Sequence, residues 1–371
     1  MYGVTGLPEV PLLTKHRCKG TFDSFRHKLE IYKMPLTNFP NGVTSFGIPM
    51  VSSGVPIPNV NGKVLFVDGT YGTDGNKGTD PKLALSTIAR AIALANPGDT
   101  IFVFPKEMAA TDTDPGSYAE AITIDVPQVS LFGVARGRTQ GGLPQIKKGS
   151  GTAALITVTA PGVWIAGLGI NGSGSTGGGI KFSDDGGSTS ASFGGAVSNC
   201  HFKNCVGSTA TDSRTGGAIQ LSGAPWQMNF SKNIFYKNVG GIVLLDTSNS
   251  APQDIVIEEN VFAGTAATVD CDIYLAGGSG ADAAIVRKNV FACDTIPALG
   301  SGSVVRYLDM TGCTGMLVDN VFATTVDAAG TEYTFGAAGT AALIPTTVRM
   351  ARNWGELSSA TAGATGEIYR T

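Results

Sequence analysis

From residue 100 onward the apolar residues come in short runs, each bounded by Gly, Pro, Asp or Asn. Segments 100–104, 121–124, 129–132, 155–159 and 163–170 read as strands on this pattern, with loops over 108–117 and 135–151. Only one stretch departs from it. In 81–96, Leu85, Ile88 and Ile92, with Ala84, Ala91 and Ala95 between them, recur at helical spacing. Asp80 fits the N-cap, Pro81 the first helical position, and Asn96-Pro97-Gly98-Asp99 the stop. A lone helix with one apolar face, followed by sequence that reads only as strands, needs a β surface to cover. It is expected to lie over the open end of a stack of strands.

The second half repeats. Cys200-His-Phe202, Asn233-Ile-Phe235, Asn260-Val-Phe262, Asn289-Val-Phe291 and Asn320-Val-Phe322 each place a Phe two residues after an Asn, or after Cys200 in the first copy, and Arg352-Asn353-Trp354 is a degenerate last copy. The spacings between Phe residues are 33, 27, 29 and 31. A unit of that length is a solenoid turn. The Phe is expected to point inward onto the Phe of the next turn, and the Asn to occupy the bend, where it tolerates left-handed backbone. Further apolar runs follow most copies, at 216–222, 240–246, 271–277 and 303–309, with one loop per turn absorbing the variation in length. Eight to ten turns at about 4.8 Å each give a rod of roughly 40–50 Å.

The stretch FVDGTYGTDGNKGTDPKLALSTIARAIALANPGDTIFV resembles the opening segment of the pectate-lyase-like, right-handed parallel β-helix proteins, and residues 118–172 are similar to their early turns. The resemblance covers about 64–354. It implies an all-β, single-stranded parallel β-helix over 63–355, with a capping helix at 81–96, an extended N-terminal arm over 1–62 and a tail over 356–371. Fold-level likeness of this kind does not by itself fix an activity.

Composition supports the elongated β architecture: 371 residues hold 51 glycines, and only 15% are charged. A net charge of −3 argues against a nucleic-acid partner. Residues 1–60 hold seven of the eighteen prolines and little periodicity, which suits an extended arm lying on another surface, either its own body or a larger assembly. No secretion-signal pattern and no long apolar span stand in the sequence, so synthesis in the cytoplasm without a signal peptide, and no membrane partner, are expected. The six cysteines are irregularly spaced, and most are expected as buried thiols.

Inherited catalytic sets are missing. Neither Arg-x-Pro-x-x-Arg, as calcium-dependent pectate lyases carry, nor Gly-His-Gly and Arg-Ile-Lys, as polygalacturonase-like hydrolases carry, occurs; Asp184-Asp185 is the only Asp-Asp pair. Aligning the second runs of each repeat puts Gln220, Leu244, Tyr274 and Arg306 in one outward column and Asp246 in the next. Asp246 and Arg306 are therefore the catalytic candidates, and Gln220 and Tyr274 the glycan-binding ones, against the plainer reading of an exposed polar face. Asp68, Asp74 and Asp80 have calcium-ligand chemistry but not the spacing of a known calcium loop, and all are ordinary turn formers. No cofactor is implied. Cys200 and His201 are strand neighbours, so their side chains should point to opposite faces. Trp164, Trp226 and Trp354 are expected in core or loop packing.

These features point to a structural component of a tailed-bacteriophage virion, a capsid decoration protein or a tailspike or fibre subunit. It would be attached to other virion proteins through residues 1–62 and, by resemblance, trimeric. The alternative is a polysaccharide lyase or glycoside hydrolase acting on a cell-surface or plant glycan.

Overall fold

The computed structural model describes residues 44–45, 48–49, 62–107, 116–134, 142–183, 192–246, 251–264, 270–293, 306–323, 334–339, 342–356 and 365–370. The chain divides into two compact units, Met1–Ser52 and Ser53–Thr371. In the first, Thr44–Ser45 pairs antiparallel with Ile48–Pro49. The rest of residues 1–61, hence nearly all of the expected arm, lies outside the described residues.

The second unit is a single-chain parallel β-solenoid. Among the described residues its first sheet has ten strands, from Val64–Val67 to Val348–Ala351, its second ten, from Ser117–Tyr118 to Thr365–Glu367, and its third nine, starting at Ile122–Ile124. Each turn feeds the sheets in order, as in Ala196–Ser198, His201–Lys203 and Ile219–Ser222. Neighbours in a sheet come from successive turns and run parallel, except that Phe335–Gly336 pairs with Ala342–Leu343 seven residues on and that Thr365–Glu367 closes the second sheet antiparallel to Trp354–Glu356. The expected strand 163–170 is two strands, Trp164–Ala166 and Gly169–Asn171, because Gly167 turns the corner at φ 68°.

The capping helix is shorter than its periodicity predicts. Pro81–Leu83 is a 3-10 turn capped by Asp80, which accepts from the Lys82 N–H, and the α-helix, α1, runs only over Ile88–Leu94. Between them Leu85 is fully buried and bridges Val67 in parallel fashion. Asp74 holds this break open by accepting from the Ser86 and Thr87 N–H groups and the Thr87 hydroxyl. Thr87 then caps α1, accepting from Arg90 N–H, and Glu120 takes the Ile88 and Ala89 N–H groups. Ile88, Ala91 and Ile92 are buried, and α1 packs on Val64–Val67, Thr100–Val103 and Ile122–Ile124, covering the first turn.

The interior is built as the repeat predicts. Phe202, Phe235, Phe262, Phe291 and Phe322 form one column, with consecutive ring centroids 5.0, 4.6, 5.0 and 4.7 Å apart and planes within 7° of parallel. Strand register enforces this: each Phe is paired with the Phe of the next turn.

The Asn does something other than supply left-handed backbone. That conformation belongs to the residue before it: Lys232, Glu259, Lys288, Asp319 and Arg352 have φ between 51° and 59°. The asparagines are instead wholly buried and bond one another along the solenoid axis. The side chains of Asn233, Asn260, Asn289 and Asn320 each donate to the Oδ1 of the next Asn, ending at Asn353, over 2.9–3.1 Å. Each also donates to a main-chain carbonyl of the preceding turn. Cys200 opens the series, its main-chain N–H donating to Asn233 Oδ1.

Candidate functional site

Register decides which residues share the outward face of the third sheet. Lys181, Gln220, Val243, Tyr274 and Asp309 form one column. Gln220 and Tyr274 are therefore in line as expected, but Leu244 and Arg306 are not. Leu244 belongs to the inner core, one position from the column, and Arg306 pairs with Cys271, three residues before Asp309. The sequence alignment slipped because Gly240–Leu244 and Cys271–Tyr274 are buried at every position, so no alternation fixes their phase.

Gln220 is buried and spends its amide N–H groups on the Gly177 and Gly217 carbonyls, bracing two turns. Tyr274 and Asp246 do come together: the phenol donates to Asp246 Oδ1 at 2.5 Å. Burial first, then this bond and the charge of Asp246, push the phenol upward, so at neutral pH it remains a donor.

Sequence reasoning missed the third member, Arg214. It sits in a one-turn 3-10 helix, Ser213–Thr215, in the loop between the second and third strands of its turn, where no periodicity marks it. Asp212 grips its guanidinium with both carboxylate oxygens at 2.8 and 2.7 Å, which lowers the Asp212 carboxyl. The little helix is docked onto the next turns: Ser213 gives its N–H and hydroxyl to Asp270, and the Arg214 carbonyl accepts from Asp246 N–H. Asp246 and Tyr274 both act on the Arg214 charge. The result is an exposed carboxylate, a phenol and a guanidinium on one edge of the third sheet, each pre-oriented by a neighbour.

The strand Cys271–Tyr274 also carries Asp272, which is buried, and burial pushes its carboxyl up to about 8. Native Asp272 is thus protonated from about pH 4 to about pH 8, whereas the unfolded chain, near 3.9, is ionised there. Unfolding releases a proton in this window, so stability falls as pH rises from about 4 to about 8 and then levels off. D272N is expected to be more stable than the wild type at pH 8 by at least about 1 kcal/mol and equal to it at pH 4. Urea midpoints at the two pH values check this; a difference that does not change with pH would refute it.

The calcium candidates are engaged locally. Asp68 accepts from the Thr70 and Tyr71 N–H groups, Asp74 opens the break before α1, and Asp80 caps the 3-10 turn. Among the described residues no group of three or more His, Cys, Asp or Glu side chains gathers in a metal-holding set. Cys200 faces the core with its thiol pushed up to about 12 by burial, and His201 is pulled down by burial and Lys203, so neither forms a nucleophile–base pair. Cys200, Cys205, Cys271 and Cys313 are buried, as expected; Cys18 and the side chain of Cys293 lie outside the described residues. Trp164 packs edge-on against Phe132 and Trp226, in a loop, edge-on against Phe193, in line with expectation, whereas Trp354 lies half exposed on a strand, contrary to it. Among the described residues no helix is long and apolar enough to cross a membrane.

No protein-family model and no curated protein matches the sequence. Among solved structures the chain is similar to Escherichia coli YbhC, at 11% identity and a TM-score of 0.40, covering 88% of this chain and 93% of that one. It is also similar to the GH136 lacto-N-biosidase of Eubacterium ramulus, at 11% identity and a TM-score of 0.31, covering 78% and 67%. A third similar structure is the PL6 family alginate lyase AlyGC, at 12% identity and a TM-score of 0.33, covering 70% of this chain and 38% of the lyase.

Proposed function

We propose that this protein engages a linear polysaccharide along the third sheet and cleaves it, as a polysaccharide lyase or glycoside hydrolase directed at a cell-surface or plant glycan. The observation that carries this reading is the Tyr274–Asp246 pair beside Arg214. A glycan offers many hydroxyls and a scissile oxygen that must be protonated as it leaves. In a lyase step Asp246 takes the proton alpha to a uronate carboxylate held by Arg214 while Tyr274 gives its phenolic proton to the leaving oxygen; the C–O bond breaks as the C=C bond forms, and Asp246 hands its proton back to Tyr274 along their hydrogen bond. The test is incubation of the full chain with bacterial surface and plant polysaccharides, reading unsaturated uronate absorbance and new reducing ends. Y274F and D246N are expected to lower the rate at least about tenfold with melting unchanged. No new ends from any polymer would overturn the reading.

The second reading is a virion component, made in the host cytoplasm and attached through residues 1–62. It is favoured by the composition of that segment, which is rich in proline and lacks periodicity. The two readings are compatible in a spike that degrades its receptor. Deleting residues 1–62 is expected to leave a folded solenoid that no longer joins its particle; a truncated protein that still assembles would refute the attachment.

A further inference from the structure

The outward face of the second sheet carries an apolar stripe. Ile234, Val261, Val290, Val321 and Trp354 are paired in register on five successive turns. The last three are 37%, 44% and 50% exposed. Beside them on the same face lie Tyr236, Ala263 and Ala292. A parallel sheet with both faces apolar is normally covered on both.

What covers it is indicated by the adjacent column. Two residues before each stripe residue stands the left-handed corner residue, in the order Lys232, Glu259, Lys288, Asp319, Arg352. Its sign alternates at every turn. Within the chain this gives Lys232–Glu259 and Arg352–Asp319 ion pairs along the rod. A partner that satisfies the same column must present charges alternating at the same rise of about 4.8 Å, and a second copy of this chain does so by construction.

We propose that two copies pack their second sheets face to face, antiparallel, about a two-fold axis that runs along the strand direction, midway between the Val290 and Val321 turns. Such an axis reverses the order of turns but preserves position along the strand, so stripe lies on stripe and charge column on charge column. A two-fold axis along the rod would instead carry the charge column to the opposite edge. The alternation then sets the level. An axis through a turn would put Lys288 on Lys288 and Glu259 on Asp319. Midway between turns, Lys288 meets the second copy's Asp319, Glu259 meets its Arg352, Val290 meets its Val321, and Val261 meets its Trp354. Facing sheets stand about 10 Å apart, a gap that long charged side chains bridge at the rim.

Sedimentation of the full chain at micromolar concentration is expected to show a dimer. Glu259 and Arg352 lie three turns, about 14 Å, apart in one chain, beyond contact. E259R and R352E are each expected to weaken the dimer at least about tenfold, and the double variant to restore it, since any intrachain cost of each change persists in the double. Circular dichroism confirms that all three remain folded, and V321K serves as an independent break of the stripe. A wild-type monomer or trimer, or a double variant no tighter than the singles, would overturn the proposal.

Discussion

Asn289→Ala is expected to lower the stability of the solenoid by about 3–5 kcal/mol, far more than a hydrogen-bonded surface asparagine costs. The Asn289 side chain makes four bonds in a site closed to water. Its Oδ1 accepts from the main-chain N–H and the amide of Asn260, and its amide donates to the Ile257 carbonyl and to Asn320 Oδ1. Alanine leaves the Asn260 N–H with no acceptor and removes a donor from the Ile257 carbonyl, at about 1–3 kcal/mol for each buried group. The cavity adds to this. Asn76, which is half-buried in a loop and donates to the Ala84 carbonyl, a group that also accepts from the Thr73 N–H, provides the comparison: N76A is expected to cost about 1 kcal/mol or less. Guanidinium denaturation of both variants measures the difference. A loss under about 1 kcal/mol for N289A would mean that neighbouring groups close over the gap, and that the asparagine column does not hold the turns together.

Phe262→Ala is the second large effect, expected at about 3–5 kcal/mol. The ring is buried between Phe235 at 4.6 Å and Phe291 at 5.0 Å, nearly parallel to both. A Cβ on Gly241 would stand 2.7 Å from the Phe262 ring, so the main chain already closes on it from the third sheet. Such a backbone cannot collapse to fill a lost ring. F262L, which keeps part of the volume, is expected to cost less than half as much. Each turn contacts only its neighbours, so the loss should appear first as fraying around the Phe235–Phe291 turns, which hydrogen exchange resolves. Uniform exchange along the solenoid after F262A would contradict this.

The solenoid itself was legible because its unit is written six times, at intervals that only a stacked turn explains. A Phe at a fixed offset in each of the first five units has to fall on the Phe of the next. The role of the asparagine was only half legible. Spacing marks a bend, but not that a lysine or glutamate takes the strained φ there while the Asn turns inward to bond its copies. That choice follows from closure to water, which leaves the amide only the main-chain groups and amides of adjacent turns as partners. The capping helix shows the same limit, since Leu85 keeps helical spacing yet serves in a bridge to Val67. Tyr274 and Asp246 were singled out for their chemistry, but Arg306 was placed beside them by a register that two-sided burial leaves undefined. Arg214, in a loop without a period, carries no sequence signal of its own.

The chain's sequence thus determined by itself that successive turns stack, where the aromatic column runs and which end α1 covers, because these follow from the period of apolar positions. Only the tertiary structure decided which outward residues meet. Phase along a strand buried on both faces, and the docking of a loop such as Ser213–Thr215, are set by contacts between turns and not by the order of residues within one.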